Sequence, residues 1–215
     1  MSSLIFWDVD TQIDFMHPEG KLYVPGAERI IPNVQRLNTF AAEGGIPIIS
    51  STDAHLQSDP EFSQYPPHCL VGMTGQQKVS DTLLPRRYIV PNRMVKLPED
   101  IGSYQQIIIE KQDVDAFTNP NIDALLAILG KQEIILYGVV TEICVDRAAR
   151  GLIKRGYRVH LVADAVQHVD SDAGRSTLEF VRRHGGRIVT AGEILAGTLQ
   201  TGASSSLSIP SLPKS

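Results

Sequence analysis

Cys69 and Cys144 are the only cysteines in the 215-residue chain. Cys144 closes the stretch Gly138-Val139-Val140-Thr141-Glu142-Ile143-Cys144, where a strand-like run gives way to a helix expected to open near Thr141 as its N-cap. A thiol in the first turn of a helix faces backbone N–H groups that stabilise an anion, so its pKa is expected to fall. The same N–H groups can form an oxyanion hole. An isolated cysteine is more often a small buried hydrophobe. Two other residues raise Cys144 above that reading. Asp10 and Lys111 each follow a strand-like run, one a base and the other a charge partner for an activated nucleophile. Alone, Asp10 would be a helix cap or an ion-pair partner and Lys111 a solvated lysine. It is their joint occurrence that argues for chemistry.

A second group lies in Asp53-Ala54-His55 and at His68. One carboxylate and two imidazoles suit a borderline divalent ion such as zinc, manganese or iron. A lone loop histidine, by contrast, is more often solvated or hydrogen-bonded.

These residues need a scaffold that brings strand ends together. Short apolar, β-branched runs recur at 4–7, 46–50, 107–109, 133–140, 158–162 and 187–189. They are continuous rather than alternating, as expected of strands covered on both faces. Helical periodicity fills 27–43, 122–129, 141–154 and 171–183, each followed by a glycine stop. The pattern predicts a single α/β domain over 1–200, a doubly wound, mostly parallel six-stranded sheet with helices on both faces. Ligands bind at the carboxyl ends of such strands. There the chain sets Asp8 and Asp10, Asp53 and His55, Lys111, Cys144 and Asp164. The segment 54–92 is irregular and rich in Pro, Gly, Ser and Gln, which marks it as functional. The Ser/Pro-rich stretch 201–215 reads as a flexible tail.

Composition narrows the partners. A formal net charge of -4 without a basic stripe argues against nucleic acid and anionic membranes. No apolar run is long enough to span a bilayer, and the N-terminus lacks the basic region of a signal peptide. Two cysteines are too few for a disulfide scaffold, so a cytoplasmic protein acting on a small molecule is expected.

The ordered motifs resemble those of the isochorismatase-like cysteine hydrolases, and within them most of all the nicotinamidases. Asp10-Thr11-Gln12-Ile13-Asp14-Phe15 is similar to the family's D-x-Q-x-D-F opening, and Val24-Pro25-Gly26-Ala27 to its V-P-G-A. Lys111 stands four residues before Asp115-Ala116-Phe117, as in K-x-x-x-D-A-F, and 138–145 is similar to G-V-x-T-x-x-C-V. The likeness runs over about 4–195 and implies a Rossmann-like three-layer fold. It also implies a triad of Asp10, Lys111 and Cys144, a cis peptide at Val139–Val140, and an oxyanion hole from the N–H groups of Val140 and Cys144. The implied reaction is hydrolysis of a small amide, nicotinamide first among them, through a thioester. Tyr65-Pro66-Pro67-His68-Cys69 is close to the nicotinamidase W-P-x-H-C, with tyrosine for tryptophan. That likeness implies a metal set of Asp53, His55, Glu61 and His68. Glu61 replaces a common histidine there, and Asp59 is the nearest substitute ligand. Phe15 and Tyr65 match an aromatic pair that flanks the substrate ring. Cys69 matches a position given to packing, and a homo-oligomer, dimer or tetramer, is expected.

Three rivals follow. One is a metal-free member of the same family, of isochorismatase, maleamate or carbamoyl-amide type. Another is a haloacid-dehalogenase-like phosphohydrolase using Asp8 and Asp10, which lacks the hydroxyl residue that it needs at Gln12. The third is a silent binding module, which has no use for an intact triad.

Overall fold

The computed structural model describes residues 4–198, and the predicted tail at 201–215 lies outside the described residues. Seven parallel strands form one sheet: β1 (Leu4–Val9), β2 (Ile48–Asp53), β3 (Arg87–Val90), β4 (Gln106–Lys111), β5 (Glu133–Val139), β6 (Arg158–Gln167) and β7 (Arg187–Val189). Their order is β3-β4-β2-β1-β5-β6-β7. From β1 the chain adds β2, passes to the edge for β3 and returns to place β4 between them, then crosses back and winds outward through β5, β6 and β7. The carboxyl ends of β4, β2, β1 and β5 therefore lie side by side at the point where the winding reverses, which is where ligands bind in such sheets. All residues of β1, β2 and β5 are buried, the polar ones included, as befits central strands covered on both faces.

Helices cover both faces, giving three layers. They are α1 (Ile13–Met16), α2 (Ile31–Glu43), α3 (Ile122–Leu129), α4 (Asp146–Lys154), α5 (Ser171–Arg183) and α6 (Ala191–Leu195). On α2 the buried residues are Val34, Leu37, Asn38 and Ala41, the i, i+3, i+4, i+7 stripe of a helix with one face inward. Ile122, Leu125, Leu126 and Leu129 repeat that stripe on α3, which stops at left-handed Gly130. Alternation along β1 sends Phe6 toward Phe40 of α2, ring centres 6.3 Å apart. Trp7 goes the other way, toward Phe117 at 5.9 Å. None of the described helices is long and apolar enough to cross a membrane.

The sheet differs from expectation by one strand. β3 has four residues between Pro85 and Pro91, sits at the sheet edge and buries only Val90 fully, so its apolar signal is weak. β2 and β6 run further than their apolar runs suggest, because the polar Ser51 to Asp53 continue β2 and β6 carries on past Asp164 to Gln167. The 27–43 helix opens with a 3-10 turn, Ala27–Ile30. The 141–154 helix opens with a π-helical turn, Thr141–Val145, whose cap position is Val140. Thr141 is therefore not the N-cap; its hydroxyl is buried without a hydrogen-bond partner.

Candidate active site

Asp10 follows β1 with φ 51°, in the left-handed region that aspartate enters more readily than most residues. The twist separates Asp10 from Asp8. Asp8 lies under α2, where Asn38 Nδ2 donates to it at 3.1 Å and Lys78 Nζ at 2.9 Å. Asp10 turns to the strand ends, where Ser51 Oγ donates to its Oδ1 at 2.8 Å and Lys111 Nζ lies 2.9 Å from its Oδ2. One carboxylate is tied up beneath α2 and the other faces the strand ends, so Asp8 and Asp10 do not form a phosphohydrolase pair.

Lys111, the last residue of β4, is fully buried. Its ammonium contacts Asp10, pairs with Asp53 Oδ1 and reaches Cys144 Sγ at 3.7 Å. Cys144 arrives on the π turn after β5, delivered by Gly138, whose φ of 118° lets β5 pass β1 where a Cβ would meet Val9 O at 2.1 Å. A cis peptide joins Val139 and Val140. The structure thus brings Asp10, Lys111 and Cys144 together from three elements.

Burial alone would lower the Lys111 pKa, but Asp10 and Asp53 outweigh it and hold it well above its ordinary value. Burial lifts the Asp10 carboxyl, and Asp53 adds to the lift against the pull of Lys111. Asp53 resists burial through Lys111 and the two histidines, and stays well below the usual carboxylate range. Cys144 departs from expectation. Burial pushes its thiol up, Lys111 pulls it back, and Asp10 and Asp53 push it up again, to well above 9.0. Desolvation beside two carboxylates favours the neutral thiol, the opposite direction to that expected of a helix terminus.

Asp53 links this cluster to a second one. Its Oδ2 lies 3.7 Å from His55 Nε2 and 3.6 Å from His68 Nε2. Glu61 Oε1 stands 3.9 and 4.0 Å from the same two nitrogens. On the outer sides, His68 Nδ1 meets Pro66 O at 2.8 Å and His55 Nδ1 lies 3.0 Å from Asp59 Oδ2. Outer partners of this kind fix the ring and leave the inner nitrogen as a lone pair. His55 Nε2 is buried with no hydrogen-bond partner. Burial pushes His55 down, yet Asp53, Asp59 and Glu61 raise it to about 9, so without an ion the ring favours its protonated form and a metal would displace that proton. Imidazole nitrogens converging on a carboxylate fit a cation, and Asp53, His55 and His68, whose ligand atoms lie within 4.8 Å of one another, could hold one, with Glu61 at the edge. Asp59 serves from outside the set.

Phe15, Tyr65, Val140, Ile143, Cys144 and His68 line a narrow slot of about 30 Å³. Phe15 and Tyr65 stand 5.4 and 6.4 Å from the His68 ring, measured between centres. The slot shares Glu61, Tyr65, Val114 and Ile143 with an outer vestibule of about 590 Å³. Asp164 is elsewhere, within β6, where it accepts from Ala191 N and holds α6. Cys69 is buried, and burial lifts its thiol far above the reactive range.

Sequence reasoning assigned no task to Gln12, Asp14 or Ser51. Gln12 accepts from Asp53 N at 2.7 Å and donates to Asp53 O at 2.8 Å, pinning the shared carboxylate. Asp14 accepts from Cys69 N at 2.7 Å and so fixes the backbone beside His68. Both stand in the D-x-Q-x-D-F stretch, and that was the available signal.

The sequence matches the isochorismatase domain over residues 4–193. The chain belongs to the isochorismatase domain family. An N-carbamoylsarcosine amidase of an Arthrobacter species is 23% identical over 159 residues, 70% of this chain and 54% of the relative. The other curated relatives compared are likewise spanned to about half their length or less. Among solved structures, a pyrazinamidase of Pyrococcus horikoshii in complex with zinc superposes with a TM-score of 0.72 at 28% identity, over 87% of this chain and 99% of that one. A Bacillus subtilis nicotinamidase gives 0.74 at 20% identity, over 87% and 99%. The parallel α/β architecture is the family's.

Proposed function

We propose that this family member is a cysteine amidohydrolase, with nicotinamide the substrate that its residues favour. One observation carries the reading: a buried lysine within 2.9 Å of Asp10 and 3.7 Å of the sulfur of Cys144, which itself lines the slot.

Asp10 takes the thiol proton as the Cys144 sulfur attacks the amide carbon. The oxyanion is received by the N–H groups of Val140 and Cys144. Lys111 keeps the negative charge of thiolate and carboxylate tolerable while the proton moves. Asp10 then protonates the departing nitrogen, the C–N bond breaks, and ammonia leaves a thioester. Water gives a proton to Asp10 and its hydroxyl to the thioester; the C–S bond breaks and the proton returns to sulfur. A thiol that is neutral at rest suits this sequence, because the proton needed by the leaving group is then already in the site.

Asp53, His55, Glu61 and His68 would hold a divalent ion, zinc, manganese or iron, which would supply a Lewis-acidic point for a ring nitrogen. Phe15 and Tyr65 would flank that ring. The zinc-bound pyrazinamidase, 28% identical, supports this choice over an amide without a heterocycle. A second reading, a carbamoyl amide, draws on the likeness to N-carbamoylsarcosine amidase. In either case the proposal is a cytoplasmic homo-oligomer, dimer or tetramer, that acts on a small molecule.

Ammonia release from nicotinamide by the wild type, beside Cys144→Ala and a chelator-treated sample, is the test. Turnover lost in both controls supports enzyme and metal together. An inert wild type that holds metal rejects nicotinamide, and turnover by Cys144→Ala rejects the mechanism.

A further inference from the structure

Asp59 lies beside the candidate cation cluster and takes no part in the proposed reaction. His55 and His68 turn their Nε2 atoms inward, toward Asp53 Oδ2 at 3.7 and 3.6 Å and Glu61 Oε1 at 3.9 and 4.0 Å. Asp59 Oδ2 stands instead at the other nitrogen of His55, 3.0 Å from Nδ1. The two ring nitrogens point away from each other, so a group held at Nδ1 is outside the space that Nε2 faces. The contact is close without being an aligned hydrogen bond, so it holds by charge. A carboxylate there favours the proton on Nδ1 and leaves Nε2 for a cation.

The other Asp59 oxygen has a second task. Asp59 caps the 3-10 turn Pro60–Ser63, and its Oδ1 accepts from Glu61 N at 3.1 Å. Pro60 opens the turn, where a missing N–H costs nothing. The turn carries Glu61 to both imidazoles and lays Phe62 against them, ring centres 5.2 Å from His55 and 5.7 Å from His68. One short side chain thus serves His55 Nδ1 and Glu61 N at once, which takes two acceptor oxygens. A carboxylate has both, and an amide has one. His68 needs no such help, because its Nδ1 meets the backbone oxygen of Pro66 at 2.8 Å.

We propose that Asp59 is the positioning residue of the cation site: without touching the ion, it sets the His55 tautomer with one oxygen and holds the Glu61 turn with the other. This rests on the reading of Asp53, His55, Glu61 and His68 as the holders of a divalent ion, and makes retention of that ion depend on a residue outside the set. Substitutions at this position separate the two tasks. Asp59→Asn has one oxygen for two donors, so either His55 Nδ1 or Glu61 N is left facing an NH₂ group. Asp59→Ser still caps the turn but is too short to reach His55. Asp59→Ala does neither. Outer partners of metal-bound histidines are typically worth about 10–100-fold in metal affinity.

Cobalt(II) titration of the full chain, stripped of metal with a chelator and with no substrate present, tests this through affinity and visible spectrum. Wild type is expected to bind cobalt and His68→Ala to lose it. Asp59→Asn and Asp59→Ser should each bind about tenfold more weakly than wild type, and Asp59→Ala up to about 100-fold more weakly. At saturating cobalt all three should show the wild-type spectrum, because the ligands themselves are unchanged. Melting temperatures in excess chelator should stay within about 2–4 °C of wild type, so that weak binding is not lost folding. Wild-type affinity in Asp59→Asn and Asp59→Ser would overturn the proposal, and so would an altered spectrum at saturation, which makes Asp59 a ligand. Those outcomes leave the cation site standing. Cobalt binding that survives His68→Ala, or none in the wild type, rejects the cation site and the role of Asp59 with it.

Discussion

Asp8 and Asp10 are two residues apart, both are buried, and each lies 2.9 Å from a buried lysine. Their surroundings differ in kind. Asp8 receives Thr11 on one oxygen and Asn38, Ser50 and Lys78 on the other, and Lys78 gives a further bond to Thr11 at 2.6 Å. Tyr137 extends the net to Asn38. Asp10 receives Ser51 on one oxygen. Its Oδ2 has the Lys111 charge nearby but no aligned hydrogen bond, and that lysine is divided among two carboxylates and a thiol. A fully bonded polar network holds layers in register. An under-bonded one leaves a lone pair where a proton can land. The same residue pair, differing in the number of donors around it, serves structure on one face of the sheet and is proposed to serve chemistry at the strand ends.

Breaking each pair separates the two roles. Asp10→Asn should lower kcat by about 10²–10⁴, the usual worth of a positioned base, with little change in melting temperature because Lys111 keeps Asp53. Asp8→Ala should do the reverse. It strands Lys78, and removing one partner of a buried pair costs about 3–5 kcal/mol. For a chain of this size that lowers the melting temperature by roughly 6–20 °C, while kcat of the folded fraction should stay near wild type. Calorimetry and steady-state rates on the two variants read both arms. Similar effects on stability and rate in both would dissolve the distinction.

How far these residues are legible depends on what fixes them. Asp10, Lys111 and Cys144 stand out because apolar runs locate strand ends, and strand ends locate sites. His55 and His68 stand out by residue type. Ser51 and Gln12 do not, because their partners become neighbours only through the parallel register of β1 and β2. β3 is hidden by its shortness and by flanking prolines. Asp164 misleads because the apolar run ends before the strand does. The Cys144 thiol misleads more deeply: a helix terminus is visible in sequence, whereas the burial that outweighs it depends on the whole fold.

The pH response sharpens the comparison. Asp10 is raised above its ordinary 3.8, and it works as a base only when ionised. Activity should therefore be present above that raised pKa and fall as pH drops through it, an acid limb displaced upward from 3.8. Because the thiol is held neutral, iodoacetamide should modify Cys144 slowly at pH 7–8, without the fast phase of a thiolate. The smallest effect is expected of Ser51→Ala. The Ser51 hydroxyl favours ionised Asp10, so its loss should move the acid limb further up by about one pH unit or less. A downward shift would mean that the limb belongs to another group.

The most direct measurement is rapid acid quench of wild-type protein during turnover of an accepted amide, followed by mass mapping of its peptides. The account predicts an acyl group on the peptide containing Cys144, present in wild type, absent in Cys144→Ala and formed far more slowly in Asp10→Asn. Turnover with no acyl group on that peptide, or an acyl group on Cys69 instead, would contradict it.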